Sequence, residues 1–250
     1  SVGLIVSAST LSMMIPPGVS MILYALTTNT SVGRVFLAGL GSGLVFMVLL
    51  CAYSYVYATV RKIETTSRAS WKERWVKTRE SIFALGMPVT IIGGIYGGIA
   101  TPTEAAAFAC VYAIIVECFI YRTLSIRDVL RTSNQSAATV SILLILVSAG
   151  TVLGYLMTIT QVSQMITSAL GDHSAFQLLL IVNVIFLIGG MLIDPNTLVI
   201  VLVPLLFPAI VQAGVDPIHF SAVVIANLAV GMLSPPFGLS LFIAITTFRL

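Results

Sequence analysis

Charge is what this sequence has least of. Only 8% of its 250 residues are Asp, Glu, Lys or Arg, against 58% hydrophobic residues and a mean hydropathy of +1.08. That balance excludes a soluble globular domain, in which about a quarter of residues carry charge. Cysteine is scarce as well. Cys51, Cys110 and Cys118 lie in apolar segments without CxxC or histidine spacing, which excludes a disulfide or metal framework and leaves buried thiols. Deep in apolar sequence only Asp194 supplies a carboxylate in a distinctive motif. The net charge of +3 is no signal for nucleic acid, and no such partner is expected. What remains is an all-α, polytopic membrane protein whose solvent is the lipid bilayer.

Two places interrupt the apolar runs in the same way. Met13-Met14-Ile15-Pro16-Pro17 and Met232-Leu233-Ser234-Pro235-Pro236 stand 219 positions apart, and at that offset Ala25, Thr27 and Thr28 recur as Ala244, Thr246 and Thr247. Adjacent prolines lack backbone donors and clash with the preceding turn, so each pair predicts a broken helix. A break at membrane depth survives only inside protein or beside water. The likeness reads as an internal repeat.

Taken in order, residues 1–30 form the first broken helix and 31–60 a transmembrane helix. The segment 61–80 carries seven basic residues and is cytoplasmic by the positive-inside rule. Trp71 and Trp75 predict a short interfacial helix there, with a solvated loop as the plainer reading. Residues 81–135 hold two helices joined at Thr101-Pro102-Thr103-Glu104 and a second basic loop around Arg122, Arg127 and Arg131. A crossing and an outer loop without Lys or Arg fill 136–174. In 175–213 two apolar arms flank Asp194-Pro195-Asn196-Thr197, either as two crossings or as a re-entrant hairpin. The second broken helix occupies 214–250, with Arg249 marking its inner end. Ten of the twelve basic residues fall in 61–79 and 122–131, so the charges thread the broken helices in opposite directions, as an inverted repeat requires. Arg34, on the outer side, is the exception. The chain opens without Met and ends soon after the second break, and is expected to be part of a longer one.

Thr101, Asp194, Asp216 and Ser234 each precede a proline, as capping residues do at helix starts. Thr101 and Glu104 spell a capping box, Asp216 sits in an outer loop, and Glu117 is expected to pair with Arg122 or snorkel. Gly93, Gly94, Gly97 and Gly98 predict close helix packing. Ser234 and Asp194 differ because apolar sequence surrounds them. A helix start inside the membrane aims N–H groups at an anion, and a helix end offers carbonyls to a hard cation. Asp194 either ligates a cation, carries a proton or caps its own helix.

The stretches 14–39, 93–113 and 193–242 resemble the large membrane subunit of TRAP (tripartite ATP-independent periplasmic) transporters. The resemblance covers nearly the whole chain. It implies an ion-transporter-like elevator fold with inverted repeats, a re-entrant hairpin and two unwound helices, in the inner membrane. It implies Na⁺-coupled uptake of a small organic anion, of carboxylate or sialic-acid type, with a transport domain moving against a scaffold. The implied partners are a small four-helix membrane subunit and a periplasmic substrate-binding protein. On this reading Ser234, Asp194, Pro235, Pro236 and Asn227 meet substrate. Ser12, Met13, Met14, Ile15, Pro16, Gly231, Met232, Leu233 and Thr197 surround Na⁺, mostly through backbone. Thr101, Thr103 and Glu104 are further candidates. No transition metal and no catalytic residue is expected. Gly18 stands where many relatives have Ser. A related symporter without a binding protein, a channel, and an intramembrane hydrolase on Asp194 are the alternatives. The last needs a second carboxylate to share the proton.

Overall fold

A computed structural model describes residues 2–62, 68–170, 173–236 and 238–248. Among these residues the fold is helical throughout, with α1 at Val2–Ser9, α2 at Leu11–Met14, α3 at Val19–Thr28 and α4 at Val32–Val60. The chain continues through α5 (Trp71–Glu80), α6 (Ile82–Tyr96), α7 (Pro102–Ile115, extended by a π-helical turn at Val116–Ile120) and α8 (Ile126–Ile159). It closes with α9 (Val162–Leu170), α10 (Ala175–Leu192), α11 (Pro195–Gln212), α12 (Pro217–Gly231) and α13 (Leu239–Phe248). Six stretches among the described residues are long and apolar enough to cross a membrane. The chain divides into one unit of residues 1–57 with 144–250 and another of residues 58–143.

In the first unit both double prolines interrupt helices, as their missing donors require. The second helix resumes at Leu239, one position beyond the repeat-equivalent of Val19, where the first resumes. Both Pro–Pro peptides are cis. The core collects Tyr24, Phe186 and Phe220, all fully buried, with Phe220 edge-on to both other rings at 6.0 and 6.3 Å. The Tyr24 hydroxyl donates to the Pro217 carbonyl at 2.6 Å, so this buried phenol has its partner. Helix α4 lies close against the first break at Gly39, where a Cβ would stand 2.9 Å from the Met14 carbonyl.

The two helices α10 and α11 are 18 residues each, about 27 Å at the helical rise, close to the thickness of the hydrocarbon core, so each is long enough for a full crossing. Ser174 and Gln177 form a capping box at the start of α10. The sequence reading took 161–174 as a loop, but α9 lies within it and packs on α11.

In the second unit Ser70 caps α5 through a box with Glu73, and Thr101 caps α7 through a box with Glu104. Helix α8 begins at Ile126, inside the segment read as a basic loop. Ser125 and Asp128 close a third box, and the helix runs on through Arg127 and Arg131. Glu117 is met by the Thr123 hydroxyl rather than by Arg122. Of the four glycines read as packing residues, Gly94 lies near Ala100 and Ala105, whereas Gly98 takes a left-handed backbone with φ of 67°. The close approach of α6 and α7 falls instead at Gly86, against Tyr112, whose hydroxyl donates to the Phe83 carbonyl at 2.7 Å.

Candidate functional site

The first break leaves oxygen atoms without helical partners. In an unbroken helix the carbonyls of Ser12 and Met13 would accept from residues 16 and 17, and both are proline. Among the described residues no other donor meets them. Ile15 is extended, Gly18 caps α3 from an extended conformation, and the first turn of α3 presents its unpaired N–H groups beside those carbonyls. A Cβ at Gly18 would come within 3.0 Å of the Met13 oxygen, so a bare glycine keeps that carbonyl accessible.

The turn between α10 and α11 reaches the same place. Ile193 ends α10 in extended backbone, and Asp194 then caps α11. One Asp194 oxygen accepts from the backbone N–H groups of Asn196 and Thr197 at 3.0 and 3.1 Å, and from the Thr197 hydroxyl at 3.4 Å. Of the three roles open to Asp194 in sequence, capping is therefore visible in its geometry. Thr197, read as a cation ligand, has its hydroxyl turned to Asp194. The buried Ser20 hydroxyl, in the first turn of α3, donates to the Asn196 side-chain oxygen at 2.9 Å. Two helix N-termini are thus fastened together. Between them lies a cavity of about 310 Å³ lined by Ser12, Met13, Pro17, Gly18, Val19, Ser20, Asp194, Pro195, Asn196 and Met232. Met14 is fully buried against α4, and Pro16 is buried too.

The second break is arranged differently. Ser234 was expected to cap a helix starting at Pro235, but α13 begins only at Leu239, and Pro235 and Pro236 lie in the turn before it. The Ser234 hydroxyl bonds back to the Val230 carbonyl at 3.0 Å. Pro235 and Pro236 take helical donors from the carbonyls of Gly231 and Met232. Here replacements exist. Ser234 N–H reaches the Gly231 oxygen at 2.9 Å, and Ser240 N–H reaches the Met232 oxygen at 3.2 Å. The N–H of Leu233 donates to Val230 at 3.0 Å. Of this break only Met232 lines the cavity among the described residues. Asn227 also lies elsewhere: its amide donates to the Asn183 side-chain oxygen at 2.6 Å, joining α12 to α10. Gly231 serves that same contact, since a Cβ there would stand 2.8 Å from the Gly190 Cα.

Thr101 and Glu104 are occupied by their capping box, at 2.7 Å from the Thr101 N–H to the carboxylate. Thr103 is exposed and takes no part in it. Sequence reasoning missed Ser20, Asn196 and Asn183. The polar Asn in the Asp-Pro-Asn-Thr tip was the available signal for Asn196, and nothing local pointed to Ser20.

The profile of the DctM component of tripartite ATP-independent periplasmic transporters matches residues 1–249. The chain belongs to that family. Its DctM relatives include the ectoine/5-hydroxyectoine TRAP transporter large permease protein UehC of Ruegeria pomeroyi, 39% identical over 98% of this chain and 58% of the relative. The C4-dicarboxylate TRAP transporter large permease protein DctM of Pseudomonas aeruginosa is 35% identical over 96% of the chain and 57% of its own length. The sialic acid TRAP transporter large permease protein SiaM of Vibrio cholerae is 34% identical over 96% and 57%. The chain thus spans somewhat over half the length of these relatives. All are named permeases, so the family is one of inner-membrane transport proteins rather than enzymes. That sets aside the hydrolase reading of Asp194.

Within a DctM-family chain the chemical offer of the cavity is plain. The uncapped start of α3 supplies open N–H donors and a positive dipole end, which suit a carboxylate, whereas the N–H groups at the start of α11 are already taken by Asp194. The Ser12 and Met13 carbonyls supply hard oxygen ligands, which suit an alkali cation rather than a transition metal.

Proposed function

We propose that the complete protein is the large permease subunit of a Na⁺-coupled carrier for a small organic anion of carboxylate or sialic-acid type. A periplasmic substrate-binding protein delivers the anion, and a small four-helix membrane subunit completes the assembly. The observation that carries this reading is the juxtaposition of the uncapped α3 N-terminus with donor-free carbonyls across one cavity. An anion and a cation held there attract each other, so binding of one favours binding of the other, as symport demands.

In this proposal the substrate carboxylate meets the open N–H groups in the first turn of α3, and the start of α11, capped by Asp194, forms the facing wall. Na⁺ takes the carbonyls of Ser12 and Met13, with Met14, Ile15 and Pro16 shaping the turn behind them. The second interrupted helix contributes Met232 at the wall, and Ser234, Pro235 and Pro236 hold its bend. The tip 193–197 is read as the end of a re-entrant hairpin. The unit of residues 1–57 with 144–250 contains the elements that would travel in an elevator motion.

The test is uptake by the full-length protein with its small subunit in proteoliposomes, with the Na⁺ gradient and the soluble binding protein each withheld in turn. Saturable uptake that collapses in both omissions is expected. Uptake indifferent to Na⁺ sinks the coupling, and unsaturable conductance identifies a channel.

A further inference from the structure

Helix α5 sorts its side chains in a way its role as a connector does not require. At 100° per residue Trp71 and Trp75 fall about 40° apart, flanked by Arg74 on one side and by Arg79 and Lys72 on the other. Glu73, Glu80 and Lys77 occupy the opposite side. There Glu73 is taken by the Ser70 cap, and Lys77 pairs with Glu80 at 2.8 Å. The acids are therefore spent away from the tryptophan face, which keeps three cations and no anion. Both indoles are mostly exposed, at 83% and 72%, an arrangement that costs free energy in water. The Arg74 guanidinium lies over the Trp71 ring at 5.2 Å, which holds cation and indole as one surface.

The second basic stretch is drawn to the same end of the unit. The Tyr121 hydroxyl donates to the Glu80 carbonyl at 3.0 Å, and its ring meets Phe83 edge-on at 6.3 Å. Arg122 follows directly, so this end of the α6–α7 pair adds one cation near the end of α5.

We propose that the tryptophan face of α5 is a docking surface for anionic phospholipid headgroups. Lys72, Arg74 and Arg79 hold phosphate oxygens, while Trp71 and Trp75 sit between headgroups at the depth where indoles partition. Charge complementarity selects the occupant: a zwitterionic surface satisfies the indoles but leaves three cations without counter-charge.

The full-length protein is reconstituted in phosphatidylcholine vesicles carrying either brominated phosphatidylglycerol or brominated phosphatidylcholine at equal mole fraction. The quenching due to the two indoles is taken as the difference from W71F/W75F. Phosphatidylglycerol is expected to quench roughly twofold more, since each basic residue near an anionic surface favours it severalfold. K72Q/R74Q/R79Q brings the ratio to about one, and K77Q, on the opposite side, leaves it unchanged. Equal quenching by the two lipids in the wild type, a preference that survives the triple variant, or one abolished by K77Q overturns the proposal. None of these readings depends on uptake.

Discussion

Ser20 and Asn196 lie 176 positions apart in the chain, and the Ser20 hydroxyl donates a 2.9 Å hydrogen bond to the Asn196 side-chain oxygen. This bond fastens the helix that follows the first double proline to the helix that follows Asp194. It sets the position of the open α3 N-terminus against the Asp194-capped start of α11.

Ser20→Ala and Asn196→Ala each remove one partner, and a double-mutant cycle on thermal unfolding is expected to show coupling of about 0.6 kcal/mol, with ~1.7 kcal/mol as the ceiling for such pairs in membranes. Asn196→Asp separates architecture from electrostatics. It keeps an acceptor for Ser20 but puts negative charge beside the proposed anion site, so uptake is expected to fall severalfold while the unfolding midpoint stays near wild type. Wild-type uptake by Asn196→Asp removes the anion from this cavity.

Asp194→Asn retains a good capping side chain and deletes only the charge, whereas Asp194→Ala deletes both. If Asp194 acts through its charge, Na⁺-driven uptake drops in both variants and only Asp194→Ala also lowers the unfolding midpoint. Ser234→Ala provides the contrast. Its hydroxyl is bonded back to the Val230 carbonyl at the end of α12, so the midpoint is expected to shift little and uptake to stay within about threefold of wild type. A collapse of uptake in folded Ser234→Ala would return this serine to the substrate site.

Gly231→Ala is expected to destabilise the protein by roughly 1–3 kcal/mol, because its Cβ has nowhere to go but into the Gly190 backbone. Gly41→Ala, on an open part of α4 where no atom lies within 4 Å, is the control and leaves the midpoint unchanged or higher. Asn227→Ala belongs with Gly231→Ala: it lowers stability by freeing Asn183 but leaves the substrate KM near wild type. The measurements are unfolding midpoints and uptake kinetics on the same preparations.

Asp216 gives a pH dependence with a definite sign. The His219 N–H and then the Ile218 N–H hold its carboxyl below the usual carboxylate range, helped by the charges of Arg34 and His219. A carboxyl depressed by folding stabilises the fold fully above its unfolded value of about 3.9, and that contribution disappears as pH falls through the lower folded value. Unfolding midpoints from pH 7 down to about 3 should lose this step in Asp216→Asn, which caps without titrating. Parallel curves for the two proteins count against the cap.

What could be read in the sequence was local. Double prolines break helices because of the donors they lack, and Asp194, Asp216 and the Thr101–Glu104 box cap helices through bonds spanning two or three residues. These features need no tertiary information. The Ser125–Asp128 box was equally local and was passed over because Arg122, Arg127 and Arg131 drew the segment toward a loop. The delayed restart at Leu239 was not legible, since Ser234-Pro235 has the composition of a helix start and only the surrounding fold makes it a turn. Ser20–Asn196, Asn183–Asn227 and Gly190–Gly231 join distant segments, and single residue types reveal nothing of their partners.

The meeting of Gly190 and Gly231 bears on what can move. With no side chains between these two glycines, the backbones of α10 and α12 touch directly at this point, beside the Asn183–Asn227 and Phe186–Phe220 side-chain contacts that join the same helices. A displacement of Asp194 that left Met232 in place would have to break this close backbone contact, so the tight glycine pair ties the far wall of the cavity to its floor.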